Sequence, residues 1–231
     1  MLRDNSQRAK NAIALFWVLF GITVIAIVST FMERSLLQKA ATGNITIDEA
    51  TANDTRQRII KIIELIVRIV VIVYLIMWLR RAYFNLHSLR CYPRYSEGWA
   101  AGAWFVPFLN LVRPYEIMKE VWDLTQERAQ KGTENPAIES STIVGFWWFL
   151  WLATNVVGSI YSWAFIKGEP TIPNLISHDT AALIIGATDL VNLFLIITII
   201  KKISGFEEKL KDVIAVENIA SAEAALPVDA D

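Results

Sequence analysis

Residues 99–122 read WAAGAWFVPFLNLVRPYEIMKEVW, and this stretch decides how many times the chain can cross a membrane. Its apolar part runs over 99–112 without a charge and ends at Arg113. Crossing the hydrocarbon core takes about 20 apolar residues in a helix, each adding about 1.5 Å. We therefore expect 99–112 to lie in the membrane without spanning it.

Four other apolar blocks are long enough to span: about 12–32, 59–79, 143–166 and 180–200. Hydrophobic residues make up 54% of the chain, and their concentration in blocks is typical of a multi-pass membrane protein. The first block resembles a signal peptide, but its apolar run is too long and no small-residue cleavage site follows directly. The sequence predicts an all-α fold with four transmembrane helices and one non-spanning element.

The distribution of Lys and Arg predicts the orientation. With four crossings, both termini and residues 80–142 share one side, and that side receives most of the cationic residues. The opposite loop, 33–58, has mixed charge and is predicted to be a short extracytoplasmic cap. By the positive-inside rule, the termini and 80–142 are cytoplasmic in a cell (inner) membrane. A fifth crossing at 99–112 would export the basic C-terminal region, so charge supports four spans.

The C-terminal region continues with apolar residues at helical spacing. Ile203, Phe206 and Leu210 alternate with charged positions, which predicts an amphipathic cytoplasmic helix over 203–219 after a membrane domain of 1–202. Residues 220–231 are acidic and small, a composition typical of a disordered tail.

Polar residues recur near the middle of the predicted spans. Glu64 and Arg68, together with Lys61, share one helical face, and Asp189 lies near the centre of the last span. Charges at this depth are costly and normally find a partner or a cavity. An Arg68–Asp189 ion pair, assisted by Glu64 and bridged by Asn155, would lock the bundle, whereas an ion, proton or solute site is the functional alternative. The predicted midplane polar cluster comprises Glu64, Arg68, Asn155, Asp189 and Asn192, with Thr23 at similar depth on the first span.

The region after the second span predicts a structure at the cytoplasmic face. Arg80 and Arg81 can extend to the lipid headgroups, and Tyr83 suits an interfacial belt. Pro107 limits helix continuity, and Arg113-Pro114 favours a break followed by a new helix. We expect 99–112 to be re-entrant or to lie flat at the interface, followed by an amphipathic surface helix over 114–130.

Two segments of this region resemble a known family. RRAYFNLH (80–87) and GWAAGAWFVPFLNLVRPYEIMKEVWD (98–123) resemble the bacterial membrane family of the domain of unknown function 4328. The resemblance covers roughly 60–200; it implies a bacterial multi-pass membrane protein and implies no activity. The positions that match the family pattern are Trp104, Phe105, Pro107, Asn110, Leu111, Pro114, Tyr115, Met118 and Trp122. The predicted cytoplasmic element also includes Arg80, Arg81, Tyr83, Asn85 and Arg113.

Several chemistries lack a signature in the sequence. The net charge of −1 does not favour nucleic acid, and Cys91 is the only cysteine, so an intramolecular disulfide cannot form. His87 and His178 fall on opposite sides of the predicted membrane, and no hydrolase, zinc-protease or P-loop motif occurs. We therefore predict no catalytic residue, no cofactor and no metal site.

Two functions remain open at this point. The first is a non-catalytic scaffold, sensor or accessory subunit that contacts membrane lipid and binds a protein partner at its cytoplasmic face. The alternative is a small-solute or ion pathway around the midplane cluster, formed by a homo-oligomer because four helices are few for a monomeric pore. A water-connected cavity that reaches Arg68 and Asp189 would favour the pathway, and a dry, fully paired cluster would favour the scaffold.

Overall fold

The computed structural model describes residues 2–169 and 171–224, and its regular structure there is helical, without strands. The long apolar blocks form helices because a helix satisfies its backbone hydrogen bonds within one segment. A single 3₁₀ turn covers Leu109–Leu111. The helices are α1 (Ser6–Ala41), α2 (Ile47–Ser88), α3 (Trp99–Gly102), α4 (Arg113–Ala129), α5 (Thr142–Lys167) and α6 (Ile172–Ala224).

Three of these helices are long and apolar enough to cross a membrane. They are α1, α5 over Thr142–Phe165, and α6 over Ile172–Ala222. The predicted all-helical class is confirmed for the described residues, and three candidate spans fit a membrane protein. The remaining predicted span, 59–79, lies within α2, which is helical throughout but is not one of these three candidates in the described residues.

The connection between α1 and α2 is shorter than the loop predicted over 33–58. Both helices continue past their apolar blocks, leaving only 42–46 outside them. Thr46 and Glu49 form a capping box at the start of α2: Thr46 N donates to Glu49 Oε2 at 2.9 Å, and Glu49 N donates to Thr46 Oγ1 at 3.2 Å. The backbone N–H and the hydroxyl of Thr46, which both donate to the Glu49 carboxylate, lower the pKa of Glu49. The turn itself uses Gly43 at a φ of 74°, a conformation that favours glycine.

The non-spanning element predicted at 99–112 contains little regular helix. Helix α3 covers only Trp99–Gly102, and irregular turns follow it. Pro107 lacks an N–H for a longer helix, and Phe108 adopts a positive φ of 64° that a helix excludes. The chain therefore makes a compact turn here before α4 begins, with Pro114 in its first turn.

The C-terminal helix is continuous where the sequence predicts a boundary. Helix α6 runs from Ile172 through the predicted tail helix at 203–219 and on to Ala224. Residues 220–224 of the predicted disordered tail are thus helical, and 225–231 lie outside the described residues.

The chain forms two compact units. The motif unit lies within residues 1–9, 76–144 and 199–231, and the span unit lies within 10–75 and 145–198. The motif unit has an apolar core in which the largest side chains are fully buried. These core residues include Trp78, Leu79, Tyr83, Leu86, Ile117, Met118, Trp122, Ile199, Ile200 and Ile203.

Within the span unit, α1 and α6 approach each other closely at Gly186. A Cβ atom at this position would lie 2.9 Å from Cγ1 of Ile27, nearer than real Cβ contacts allow. Small residues permit such close helix packing in membrane bundles. Near the C-terminal end of α1 and the N-terminal end of α6, the same two helices are joined by Arg34, which donates to the carbonyl of Ile176 at 3.0 Å and to Thr180.

Candidate functional site

The centre of the span unit holds a three-residue charge cluster. Arg68 donates to Glu64 Oε1 at 2.8 Å, one turn away on α2, and to Asp189 Oδ2 on α6. The carboxylate side chains are 21% and 15% exposed, and the guanidinium side chain is 38% exposed. We call Glu64, Arg68 and Asp189 the charge triad. Its formal charge is −1, because one guanidinium faces two carboxylates.

The charge triad lies in the wall of a partly open cleft of about 650 Å³. Residues of all four helices that contribute to the span unit, α1, α2, α5 and α6, form this wall. The volume is within the range typical of small-molecule sites. Polar side chains from different helices converge on it, including Thr23, Lys61, Asn155, Ser159, Tyr161 and His178.

Two members of the predicted midplane cluster do not bond to the charge triad. Asn155 lines the cleft but donates to the carbonyl of Trp151 on its own helix at 2.7 Å. Asn192 is buried and donates to the carbonyl of Trp147 at 3.0 Å, so it ties α6 to α5 instead. The structure thus brings Glu64, Arg68 and Asp189 together and gives the two amides separate partners.

Two cleft residues have polar groups without a close partner. Thr23 is 2% exposed, and its buried Oγ1 has no hydrogen-bond partner in the described residues. Lys61 lines the cleft without a hydrogen bond or close ion pair to any described residue, although its charge acts at longer range on Asp179 and His178. Unpartnered polar groups in the wall of a cleft favour a polar occupant, because it can supply the missing hydrogen bond or counter-charge.

In the motif unit, two glutamates of α4 organise the preceding turns. Tyr83 donates to Glu120 Oε2 at 2.7 Å and accepts from the backbone N–H of Tyr95 at 3.0 Å. Tyr95 in turn donates to Glu116 Oε2 at 2.5 Å. Burial and the bond to Glu120 raise the pKa of Tyr83, and the bond to Glu116 raises the pKa of Tyr95. Both phenols therefore remain protonated donors.

Arg113 is held by aromatic faces at the start of α4. Its guanidinium carbon lies 3.9 Å from the ring centroid of Trp99 and 5.0 Å from that of Tyr95. Cation–π contacts of this kind fix the turn that carries α3 against the first turn of α4.

Trp122 anchors the middle of the same helix. The indole is 1% exposed, packs edge-on against Phe206 and donates to the carbonyl of Glu139 at 3.0 Å. Gln126, one turn on, closes a reciprocal pair with Glu139: its Nε2 donates to that carbonyl at 3.2 Å, and its Oε1 accepts from that backbone N–H at 2.8 Å. The segment before α5 is thereby fastened to α4.

The other predicted motif residues divide between structural contacts and exposure. Asn85 pairs with the backbone of Arg3, accepting at 3.0 Å and donating at 2.9 Å, and thus fastens the N-terminal segment. Arg80 Nε lies 3.6 Å from a carboxylate oxygen of Glu97, and Arg81 donates to the carbonyl of Asp4 at 3.4 Å. Pro114 and Met118 are buried, Trp104, Asn110 and Tyr115 are half-buried, and Phe105 and Pro107 are exposed.

Sequence reasoning missed the α5 contribution to the cleft beyond Asn155. Ser159 and Ser162 follow Asn155 at spacings of four and three, so the three residues form a polar stripe on an otherwise apolar helix. That stripe was readable from the sequence. No group of three or more His, Cys, Asp or Glu that could hold a metal ion occurs in the described residues.

Residues 41–205 match the family model described as Domain of unknown function (DUF4328). The chain belongs to this family. The predicted family resemblance is confirmed, and the match covers both the charge triad and residues 99–122 of the DUF4328 protein. No curated protein and no solved structure matches the chain.

Proposed function

We propose that this DUF4328 protein is a non-catalytic, four-span membrane protein that binds a small polar solute in the cleft of its span unit. The observation that carries the proposal is the cleft itself, which extends to the charge triad. A purely structural ion cluster has no need of a cavity, whereas a solute site requires one. Binding could serve sensing or passage of the solute, and passage would require a homo-oligomer of these small bundles.

The fourth crossing in this proposal is the 59–79 segment of α2. Its exposed apolar residues suit lipid contact, and Arg68 bonds to both Glu64 and Asp189 instead of facing hydrocarbon alone. With four crossings, the excess of Lys and Arg supports a cytoplasmic location for both termini and the motif unit in a bacterial cell. Net charge gives no support to a nucleic-acid partner.

The proposal also includes membrane insertion of the turn at 105–112. Five large apolar side chains of this turn are exposed, with Phe105 and Phe108 at 75% and 84%. An exposed apolar patch of this kind marks an interaction surface, and lipid is the partner that suits a turn without charges. The exposed set is Phe105, Val106, Phe108, Leu111 and Val112.

Insertion of this turn predicts a fluorescence difference between two single-cysteine variants. In a Cys91→Ser background, a polarity-sensitive fluorophore on Phe108→Cys is expected to emit at shorter wavelength in vesicles than one on Tyr92→Cys. Tyr92 is also highly exposed, at 85%, but lies outside the apolar turn. Equal emission maxima for the two positions would contradict insertion.

The solute-binding proposal is tested by the water access of the cleft. In the same Cys91→Ser background, a charged methanethiosulfonate reagent should modify Ser159→Cys at least about tenfold faster than Val157→Cys, because thiolates form in water and not in lipid. Ser159 lines the cleft, whereas Val157 is exposed on the same helix outside its lining. Equal, slow rates at both positions would show a cleft closed to water and would overturn the proposal.

The second candidate is a scaffold or accessory subunit that binds a protein partner through the motif unit. It is favoured by the way the motif residues are used: Tyr83, Asn85 and Trp122 are all engaged in internal bonds that stiffen the unit. A rigid surface favours docking of a protein partner. A closed cleft in the labelling experiment would leave this candidate as the better account.

A further inference from the structure

We infer that the occupant of the cleft is a small zwitterion, which carries an ammonium group and a carboxylate on one short molecule. The inference rests on the proposed solute-binding function and adds the class of the solute. It is argued from the signs of the charges in the cleft wall, the oxygen atoms left without partners, and the short distance between the two signs along α2.

The charge triad supplies the negatively charged site for the ammonium group. Arg68 uses one nitrogen to bond both acids, through Oε1 of Glu64 and Oδ2 of Asp189. The second oxygen of each carboxylate has no hydrogen-bond partner in the described residues. The cluster therefore retains two acceptor atoms and a formal charge of −1, and an alkylammonium ion carries the matching charge and donors.

Lys61 supplies the positively charged site for the carboxylate group. It lines the same cleft and makes no close ion pair with any described residue. The acid that its charge reaches at longer range, Asp179, has one carboxylate oxygen buried without a partner, so Lys61 is not neutralised by direct contact there either. A ligand carboxylate can supply the charge-assisted hydrogen bond that the lysine lacks.

The distance between Lys61 and the charge triad suits a small molecule. Lys61 is one turn from Glu64 and two turns from Arg68 on the same face of α2, a rise of about 4.5 to 10 Å along the helix. Thr23 contributes an independent indication of a ligand, because it is almost fully buried, lines the cleft and has an unpartnered hydroxyl among the described residues.

A ligand of one charge fits this wall less well. A simple cation would leave Lys61 unpaired and add a positive charge near it, whereas a simple anion would leave the negative charge triad uncompensated. In a cleft that is partly shielded from water, an uncompensated charge is unfavourable. A zwitterion adds no net charge and pairs both signs at once.

The test is equilibrium binding to the purified full-length protein in detergent. The probes are the radiolabelled zwitterions glycine, β-alanine and 4-aminobutanoate, and the single-charge molecules propionate and propylamine. At least one zwitterion should bind about tenfold or more tightly than both single-charge probes, since each lost charge-assisted bond costs at least that factor. Lys61→Met and Glu64→Gln should each weaken zwitterion binding by a similar factor.

The controls separate ligand class from folding and from the proposed function. Lys39→Met, an identical substitution at an exposed lysine outside the cleft lining, should bind as the parent does. Lys61 is itself exposed, so its variant is expected to fold even if Glu64→Gln does not. Equal binding of propylamine without any effect of Lys61→Met, or no binding of any zwitterion, would overturn the inference. If either of these outcomes were combined with fast labelling of Ser159→Cys, the solute-binding proposal itself would remain supported.

Discussion

Replacing Arg68 with methionine is expected to lower the thermal midpoint of the protein in detergent sharply. The substitution leaves Glu64 and Asp189 facing each other without the guanidinium that bonds to both. Removing one partner of a buried ion pair costs about 3–5 kcal/mol, and the 38% exposure of the Arg68 side chain places the expected loss at or below the lower end. The midpoint is measured by tryptophan fluorescence on heating.

A triple variant separates the ion pairs from the volume of the side chain. Glu64→Gln, Arg68→Met and Asp189→Asn together remove all three charges, so most of the lost stability should return. Arg58→Met is the matched control, because Arg58 is exposed on the same helix and should tolerate the change. If Arg68→Met melts like Arg58→Met, the charge triad does not hold the bundle together. The triple variant should nevertheless bind no zwitterion.

Trp122→Ala is expected to destabilise the motif unit by about 3–5 kcal/mol, the range for removing a large aromatic side chain from a packed core. The indole is 1% exposed and contacts the ring of Phe206. The substitution also leaves the carbonyl of Glu139 with only the bond from Gln126. Chemical denaturation followed by hydrogen exchange of α4 measures the loss.

Two further variants distinguish the hydrogen bond from the packing. Trp122→Phe keeps most of the volume and removes the N–H donor, so we expect a loss of about 1 kcal/mol. Tyr92→Ala removes an aromatic side chain that is 85% exposed and should have little effect. Equal stabilities of Trp122→Ala and Tyr92→Ala would show that the packing of Trp122 is not a determinant of the fold.

The strongest sequence signals were the ones with a single physical cause. Long apolar blocks predicted the helices that contain 143–166 and 180–200, because only a helix satisfies the backbone in lipid. Charges of opposite sign on α2 and α6 predicted that Arg68 would pair with Asp189, since an unpaired charge inside a predicted span is costly. The motif residues identified the family in the same way, through an unusual order of proline and aromatic residues.

The same sequence patterns did not predict where helices end or which side chains pair. The apolar block of α1 ends near 32, but polar residues carry the helix to Ala41, an extension that composition alone does not predict. The bonds between α1 and α2 were likewise not predicted: Asn53 donates to Glu33 at 3.3 Å, and Gln57 donates to the carbonyl of Ser29 at 3.1 Å. The bridging role expected of Asn155 was wrong: its amide bonds to the carbonyl of Trp151, since an amide can bond to its own helix or to a neighbour with similar energy.

The contact at Gly186 bears on how other members of the family can vary. A side chain larger than hydrogen at this position would meet Ile27 at 2.9 Å. A homologue with alanine or serine at the equivalent of 186 would need a smaller residue at the equivalent of 27, or its α1 and α6 would stand further apart. The volumes at these two positions should therefore vary inversely across an alignment, and a homologue in which both are large would have a differently shaped cleft.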